Sequence, residues 1–328
     1  MDLVVSRARN VDSASLVARR AAPTSDRKLH IGPMISDDDI RAATGSGYCI
    51  GYRALRSEAT LEQMQNYCKS TKALFVPIAK AFTPDDNSRW LLRHYLAVKF
   101  ASASALMAGS ALYAYEHNLM MAVPYFNYYT LLNACRAYVM TAPQMVWDGQ
   151  KTVEMTHEKV LNCAADYMRN LDPDRRMQWR DQMRKYRDQR TLFSYRFPLS
   201  GPDFVGRAAL DPTPAIALAQ LVAELGALNS ECFDAVLEKH VDENIAVSDL
   251  DDHDLARLYK LAGEDEADYA DLHRFGKLRR HWRRVSPLHV LVSDGMMDDL
   301  FGSWTNPDQE DDDGGFNPDE CSNLILLF

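Results

Sequence analysis

The residues of this chain best suited to chemistry are arginine–histidine pairs with four to six residues between them. On a helix or at its end, such a pair can set a guanidinium and an imidazole beside one phosphate. The imidazole then takes the proton of an RNA 2′-hydroxyl or protonates the leaving 5′-oxygen. The guanidinium steadies the phosphorane charge, and the chemistry requires no metal. The sequence offers Arg89 with His94, Arg284 with His289 (Arg283 stands beside Arg284), and Arg274 with His281. Arg89 and His94 are the first choice for a catalytic pair, and Arg284 and His289 the second. With 26 arginines and 9 histidines in 328 residues, about two such spacings arise by chance, so spacing alone does not identify a site.

Other chemistries lack their signatures. There is no Gly-x-x-x-x-Gly-Lys-Ser/Thr, no Gly-x-Gly-x-x-Gly after a strand and no Gly-x-Ser-x-Gly. His157-Glu158 begins a zinc-protease pattern, but Leu161 stands where the second ligand belongs. The six cysteines (Cys49, Cys68, Cys135, Cys163, Cys232, Cys321) show no metal or disulfide spacing, which is the pattern of reduced thiols in a cytoplasmic protein. No metal and no cofactor is expected.

Charge is unevenly distributed. The formal net charge is −9, and seven of the carboxylates fall between Asp308 and Glu320, with no base among them. Between Arg169 and Arg196, nine Arg or Lys side chains oppose four Asp. Within that segment Arg176, Arg180, Arg184 and Arg187 recur at helical steps with Trp179, Tyr186 and Phe193 interleaved. Such a face suits an RNA backbone, with aromatic rings stacking on unpaired bases. It suits equally a solvated face paired with Asp181 and Asp188, or one that meets the protein's own acidic 242–271 region.

The elements that must position these groups read as helices. Hydrophobic residues make up 47% and charged residues 25% of the chain, a globular composition, and the apolar stretch 95–115 is broken by Lys99 and serines, against a membrane span. Residues 1–58 read as a loosely ordered arm and a loop-rich segment with a short strand near 48–52. Thr60-Leu-Glu-Gln63 has the form of a capping box, and Pro77 is placed to kink or end the helix that follows. Helices are expected over about 88–118, then from Pro124, then over 151–170 and 174–193, all within a bundle spanning 59–197. The prolines and glycine of Phe197–Pro202, with Pro212 and Pro214, mark a linker over 198–213. A second helical subdomain over 214–305 then carries helices at 214–228, 230–241, 251–263, 266–284 and about 288–304. The expected fold is all-α, with a disordered acidic tail over 306–328. The apolar end of the tail, Leu324–Phe328, suits tucking back onto the body or docking a protein partner.

The segment Pro124-Tyr-Phe-Asn-Tyr-Tyr-Thr-Leu-Leu-Asn-Ala-Cys-Arg-Ala-Tyr-Val139, followed by Lys151-Thr and Thr156-His-Glu-Lys159, resembles HEPN-superfamily helical proteins over about residues 87–195. Such domains often carry a paired-tyrosine helix with Arg-Ala nearby and a later Thr-His. The resemblance implies a metal-independent ribonuclease of a toxin or defence system, or else an inactive binding module. It implies a homo-oligomer in which an Arg-x4–6-His motif from each subunit lines one cleft. It adds Arg136 and His157 as supporting positions. The chain departs from the pattern where Trp90 and Val285 follow the candidate arginines, positions that are usually polar. The rival expectation is a non-catalytic scaffold that self-associates through helix 125–138 and recruits a protein through its tail.

Overall fold

The computed structural model describes residues 35–248, 269–292, 294–305 and 315–326, all within one unit, Pro33–Phe328. Among the described residues, twelve α-helices and three short 3-10 turns make up the regular structure, and there is no strand. The fold is all-α.

Three capping boxes open helices in the first third of the described residues. Ser36 with Asp39 opens α1 (Asp37–Thr44), in a stretch whose glycines read as loop. Thr60 with Gln63 opens α3 (Leu61–Lys80), as the sequence requires, and that helix runs through Pro77 to its end. Thr83 with Asp86 opens α4 (Pro84–Glu116), a turn earlier than the apolar periodicity suggests, because Pro84 fits the first turn. Between α1 and α2 (Arg53–Glu58) the expected strand is an irregular connection, in which the Tyr52 amide turns back to the Ile50 carbonyl at 2.9 Å. α2 has no cap of its own. Its free amides at Arg53, Ala54 and Leu55 donate instead to the carboxylate of Glu224, at 2.9, 3.0 and 2.7 Å.

Glu224 belongs to α9 (Thr213–His240), a single 28-residue helix where the sequence suggests two helices parted at Asn229. Neither Asn229 nor Ser230 breaks it, because their side chains have partners elsewhere. Asn229 Oδ1 accepts from the Tyr67 hydroxyl (2.8 Å), and Ser230 Oγ donates to the Ala227 carbonyl (2.6 Å). α9 packs on α5 (Val123–Thr141), which packs in turn along α4. Small residues set these distances. A Cβ on Gly226 would stand 3.2 Å from Tyr138 Cα, and Ser104 of α4 reaches the Thr130 carbonyl of α5 at 2.6 Å. By length and composition α4 could cross a membrane, yet 61% of its apolar window is buried within the protein.

The helices expected at 151–170 and 174–193 are three: α6 (Gln150–Val153), α7 (His157–Met168), capped by Thr156, and α8 (Arg176–Tyr195). The 198–213 connection carries two 3-10 turns. Apolar residues on both sides of it, such as Leu131 and Trp179 before and Leu221 and Leu225 after, share one core. α10 (Tyr269–His281) follows, and the helix expected near 288–304 is two, α11 (Leu288–Leu291) and α12 (Asp294–Gly302). The helix expected at 251–263 lies outside the described residues.

The tail needs a correction in part. Residues 306–314 and 327–328 lie outside the described residues, but 315–326 are an ordered strap with a 3-10 turn at Pro318–Cys321. Cys321, Ile325 and Leu326 are buried. Gln220 and Arg53 each donate to a strap carbonyl, of Leu324 and Asn323, at 2.7 Å. Gly109 of α4 makes room for it, since a Cβ there would stand 2.2 Å from Cys321 Sγ. The described part of the apolar end, Leu324 to Leu326, therefore tucks back onto the body.

Two stability measurements follow from this packing. Gly226→Leu is expected to lower stability by about 1–3 kcal/mol through overpacking against the α5 backbone. Gly276→Ala, in the interior of α10 where nothing stands within 4 Å of the new Cβ, is expected to raise it by roughly 0.5–1 kcal/mol. Denaturant titration of both variants reads the difference, and equal shifts would refute the close approach. The second concerns pH. Burial pushes the carboxyl of Glu231 up to about 8 and that of Glu224 to about 7. The folded protein thus keeps protons that the unfolded chain has already released, and these carboxyls lower stability as pH rises through 8. The buried histidines, pushed down by burial, act the other way while the unfolded chain loses its imidazole protons around 6.5, so the slope is read above about pH 7.5, where histidine is neutral in both states. Glu231→Gln is expected to flatten the slope, whereas an unchanged slope would mean that Glu231 is ionised throughout.

Candidate active site

Each member of the two arginine–histidine pairs chosen from spacing is engaged with neighbours of its own. Five positions on a helix correspond to a rotation of roughly 140° between side chains, and Arg89 and His94 both lie on α4. Arg89 points outward, 3.6 Å from Asp86. His94 is 1% exposed, packed against Trp90 and Phe233, with Nδ1 2.9 Å from the Ser286 carbonyl. Burial pushes its pKa down to about 4. Arg284 pairs with Asp234 (3.1 Å) and His289 stands 3.9 Å from Glu231, so each faces its own carboxylate on α9. Arg274 pairs with Asp299 and donates to the Gly295 carbonyl, and Arg283 donates to Asn244.

The supporting positions Arg136 and His157, by contrast, come together. They do so on α5, α7 and α8, which pack mutually around Leu131, Val160 and Met183. His157 is the first residue of α7, directly after the Thr156 cap, and is half-buried. Its Nδ1 lies 2.9 Å from the hydroxyl of Tyr128. The ring of Tyr129 meets it edge-on with centroids 5.8 Å apart. Tyr128 is buried and Tyr129 half-buried, so the pair divides into a core ring and an outward ring. From α8, Arg190 lies 6.0 and 5.9 Å from the rings of Tyr128 and Tyr129 and 5.1 Å from that of Tyr195. Arg136 lies on the same side of α5, its guanidinium 5.5 Å from the Phe100 ring. Neither arginine has a carboxylate partner among the described residues, and the Nε of each is buried without a hydrogen bond.

This environment fixes the charge of the imidazole. Burial first, then the positive charges of Arg136 and Arg190, hold the His157 pKa below its ordinary value. Its place at a helix N-terminus acts in the same direction, because the free amide end disfavours a cation. Burial also pushes the Tyr128 hydroxyl up to about 12, so it stays protonated beside the ring. The result is a neutral histidine flanked by two guanidinium groups that lack counter-ions, an arrangement that binds an oxyanion and can take a proton from it or its neighbour. Among the described residues no three His, Cys, Asp or Glu side chains stand where they could share a metal. The six cysteines are free, and burial raises the thiols of Cys49 and Cys321 to about 12, which makes them poor nucleophiles.

The arginine stripe of α8 is differently employed from end to end. Arg176 is ion-paired with Asp166, and Arg187 with Asp188 and Glu158. Arg180 and Arg184 are half-buried and make no ion pair among the described residues. The interleaved aromatics are core residues, with Trp179, Tyr186 and Phe193 exposed by only 0%, 7% and 6%. They line the adjacent face of the helix, which packs inward, and so cannot stack on bases. Exposed rings on or beside α5 and α8 include Tyr125, Tyr195 and Phe197. Arg190 continues the arginine stripe by a three-residue step, and only packing against α5 and one another distinguishes it and Tyr195 from the rest of the basic segment. The signal for them was their position three and eight residues beyond Arg187, on the face toward α5. Helix 125–138 itself is largely buried among its neighbours.

Histidine titration by NMR tests this electrostatic account. His157 is expected to titrate below the ordinary histidine value of about 6.5, and Arg190→Gln should move it upward. A His157 that titrates normally, or does not respond to Arg190, would show that the guanidinium groups do not act on it.

No protein-family model, curated protein or solved structure matches this chain.

Proposed function

We propose that the protein binds RNA at the α5–α7–α8 site and cleaves it as a HEPN-like endoribonuclease of a toxin or defence system. One observation carries the reading: a half-exposed neutral imidazole, His157, held at 2.9 Å from Tyr128 and flanked by the guanidinium groups of Arg136 and Arg190, neither of which meets a carboxylate among the described residues. The resemblance of the 124–159 segment to HEPN proteins supports the same assignment, with Arg136 and His157 in the central roles instead of the spacing-derived pairs.

In this mechanism the Nδ1–H of His157 donates to Tyr128, which orients the ring and leaves Nε2 as the base. Nε2 takes the proton of a 2′-hydroxyl. The 2′-oxygen bonds to phosphorus, the bond from phosphorus to the 5′-oxygen breaks, and water protonates the departing oxygen. The products are a 2′,3′-cyclic phosphate and a 5′-hydroxyl end, and His157 returns its proton to water. Arg136 and Arg190 stabilise the charge that builds on the non-bridging oxygens. The exposed Tyr125 and Tyr195 supply faces for unpaired bases.

The test is cleavage of end-labelled RNA by purified protein, with cyclic-phosphate ends as the readout. His157→Asn is expected to reduce the rate by about 10²–10⁴ and Arg190→Gln by about 10²–10³, with helicity unchanged. His94→Ala and His289→Ala should cleave at the parent rate if they fold. The rate should rise with pH through the lowered His157 pKa and then level off, because protonated imidazole is no base. RNA left intact by the parent protein, or cleavage that survives His157→Asn, would refute the assignment.

A further inference from the structure

The opposite flank of α8 carries a groove of about 950 Å³ that the histidine site does not use. It runs between the helix and the two 3-10 turns of the 198–213 connection, and its volume is that of a small-ligand site. Three features give it chemistry. Leu192, Val205 and Ala209 supply an apolar surface. Arg184, Lys185 and Arg196 line the groove and make no ion pair among the described residues. Of the two acids present, Asp188 is engaged by Arg187 at 3.0 Å, which leaves Asp181 as the one acid to oppose three cations. The third feature is Gln189, only 6% exposed. Its Nε2–H donates to the Ala209 carbonyl at 3.2 Å, and its Oε1 is buried without a partner.

A buried amide oxygen left unpaired costs free energy until a donor reaches it. The ligand that satisfies all three features has an apolar ring face, an N–H donor on the ring edge and a negative charge. We propose that the groove binds a nucleoside phosphate whose base bears an exocyclic amino group. The base lies on Leu192, Val205 and Ala209, its amino group donates to Gln189 Oε1, and its phosphate meets Arg184, Lys185 and Arg196. The ligand is either a free nucleotide or one unit of an RNA strand, and only the strand form rests on the cleavage reading above.

Calorimetry with AMP and IMP separates these cases, since IMP carries a carbonyl oxygen where AMP carries the amino group. AMP is expected to bind at least tenfold more tightly than IMP, as a hydrogen bond to an otherwise unpaired buried group implies. Gln189→Leu should erase that preference. Arg184→Gln and Arg196→Gln, which leave Gln189 and the core in place, should each weaken AMP about tenfold, the scale of a charge-assisted hydrogen bond. Preference confined to adenosine-containing trinucleotides over their inosine counterparts would assign the groove to a strand. His157→Asn should leave binding unchanged, so a failed cleavage assay and an empty groove give different results. Equal binding of AMP and IMP in both free and strand form, no binding of either, or indifference to Arg184→Gln and Arg196→Gln would overturn the proposal.

Discussion

α9 is buried along nearly its whole length, from Ala215 to Leu237, yet it carries Glu224, Asn229, Ser230, Glu231 and Asp234. A carboxylate or amide without a partner at such depth would cost more than the helix gains from apolar contact. The surrounding chain is arranged to answer those groups. α2 offers the free amides of its first turn to Glu224, Tyr67 its hydroxyl to Asn229, Tyr52 its hydroxyl to Glu231 at 2.7 Å, and Arg284 its guanidinium to Asp234. Each answer places an element. The segment 50–55, the α3 helix and the 284–289 turn all sit where α9 needs a donor.

The same exchange runs in the other direction on α4. Arg93 is 3% exposed, lies 3.5 Å from the Trp90 ring and donates at 2.8 Å to the carbonyls of Met140 and Ala142. Those carbonyls have no partner within the helix because α5 ends there, and that of Ala142 also accepts from the Met145 amide at 3.2 Å. A buried cation thus closes the end of the helix whose other half bears the tyrosines of the candidate active site. α5 is clamped on one side by Gly226 of α9 and at its end by Arg93. Its outward residues, Tyr125, Tyr129 and Arg136, are therefore presented from a fixed backbone, the condition for a site of defined geometry.

Much of this was legible in the sequence, and the reasons differ by element. Local signals carried through: the Thr60–Gln63 box, Pro124 in a first turn and the helical period of α4 each depend on neighbours in sequence. The N-terminal α1 was obscured by the glycines around it. Asn229-Ser230 suggested a break because the sequence does not show that Tyr67, far away in the chain, satisfies the asparagine. For the site, type and spacing were poor guides. His94 and His289 have the required distance from an arginine and are buried among core rings or beside a carboxylate. Arg136 and His157 are brought together only by the packing of α5 on α7. Arg190, which completes the group, comes from a third helix that no linear motif could include.

The distribution of these contacts along the chain also bears on the order of assembly. His157, Arg136, Arg190 and their tyrosines all come from residues 123–195, where Tyr128 and His157 are 29 residues apart and Tyr129 and Arg190 61. The frame reaches further. Glu224 reaches back 171 residues to Arg53, and Arg53 reaches forward 270 residues to Asn323. Contacts between near neighbours close loops at small entropic expense and form early, whereas pairings across such separations come late. The nascent molecule therefore acquires its histidine and arginines as a locally organised three-helix unit. The N-terminal segment and the C-terminal strap lock around it afterwards, so that the kinetic barrier of the fold resides in its scaffold.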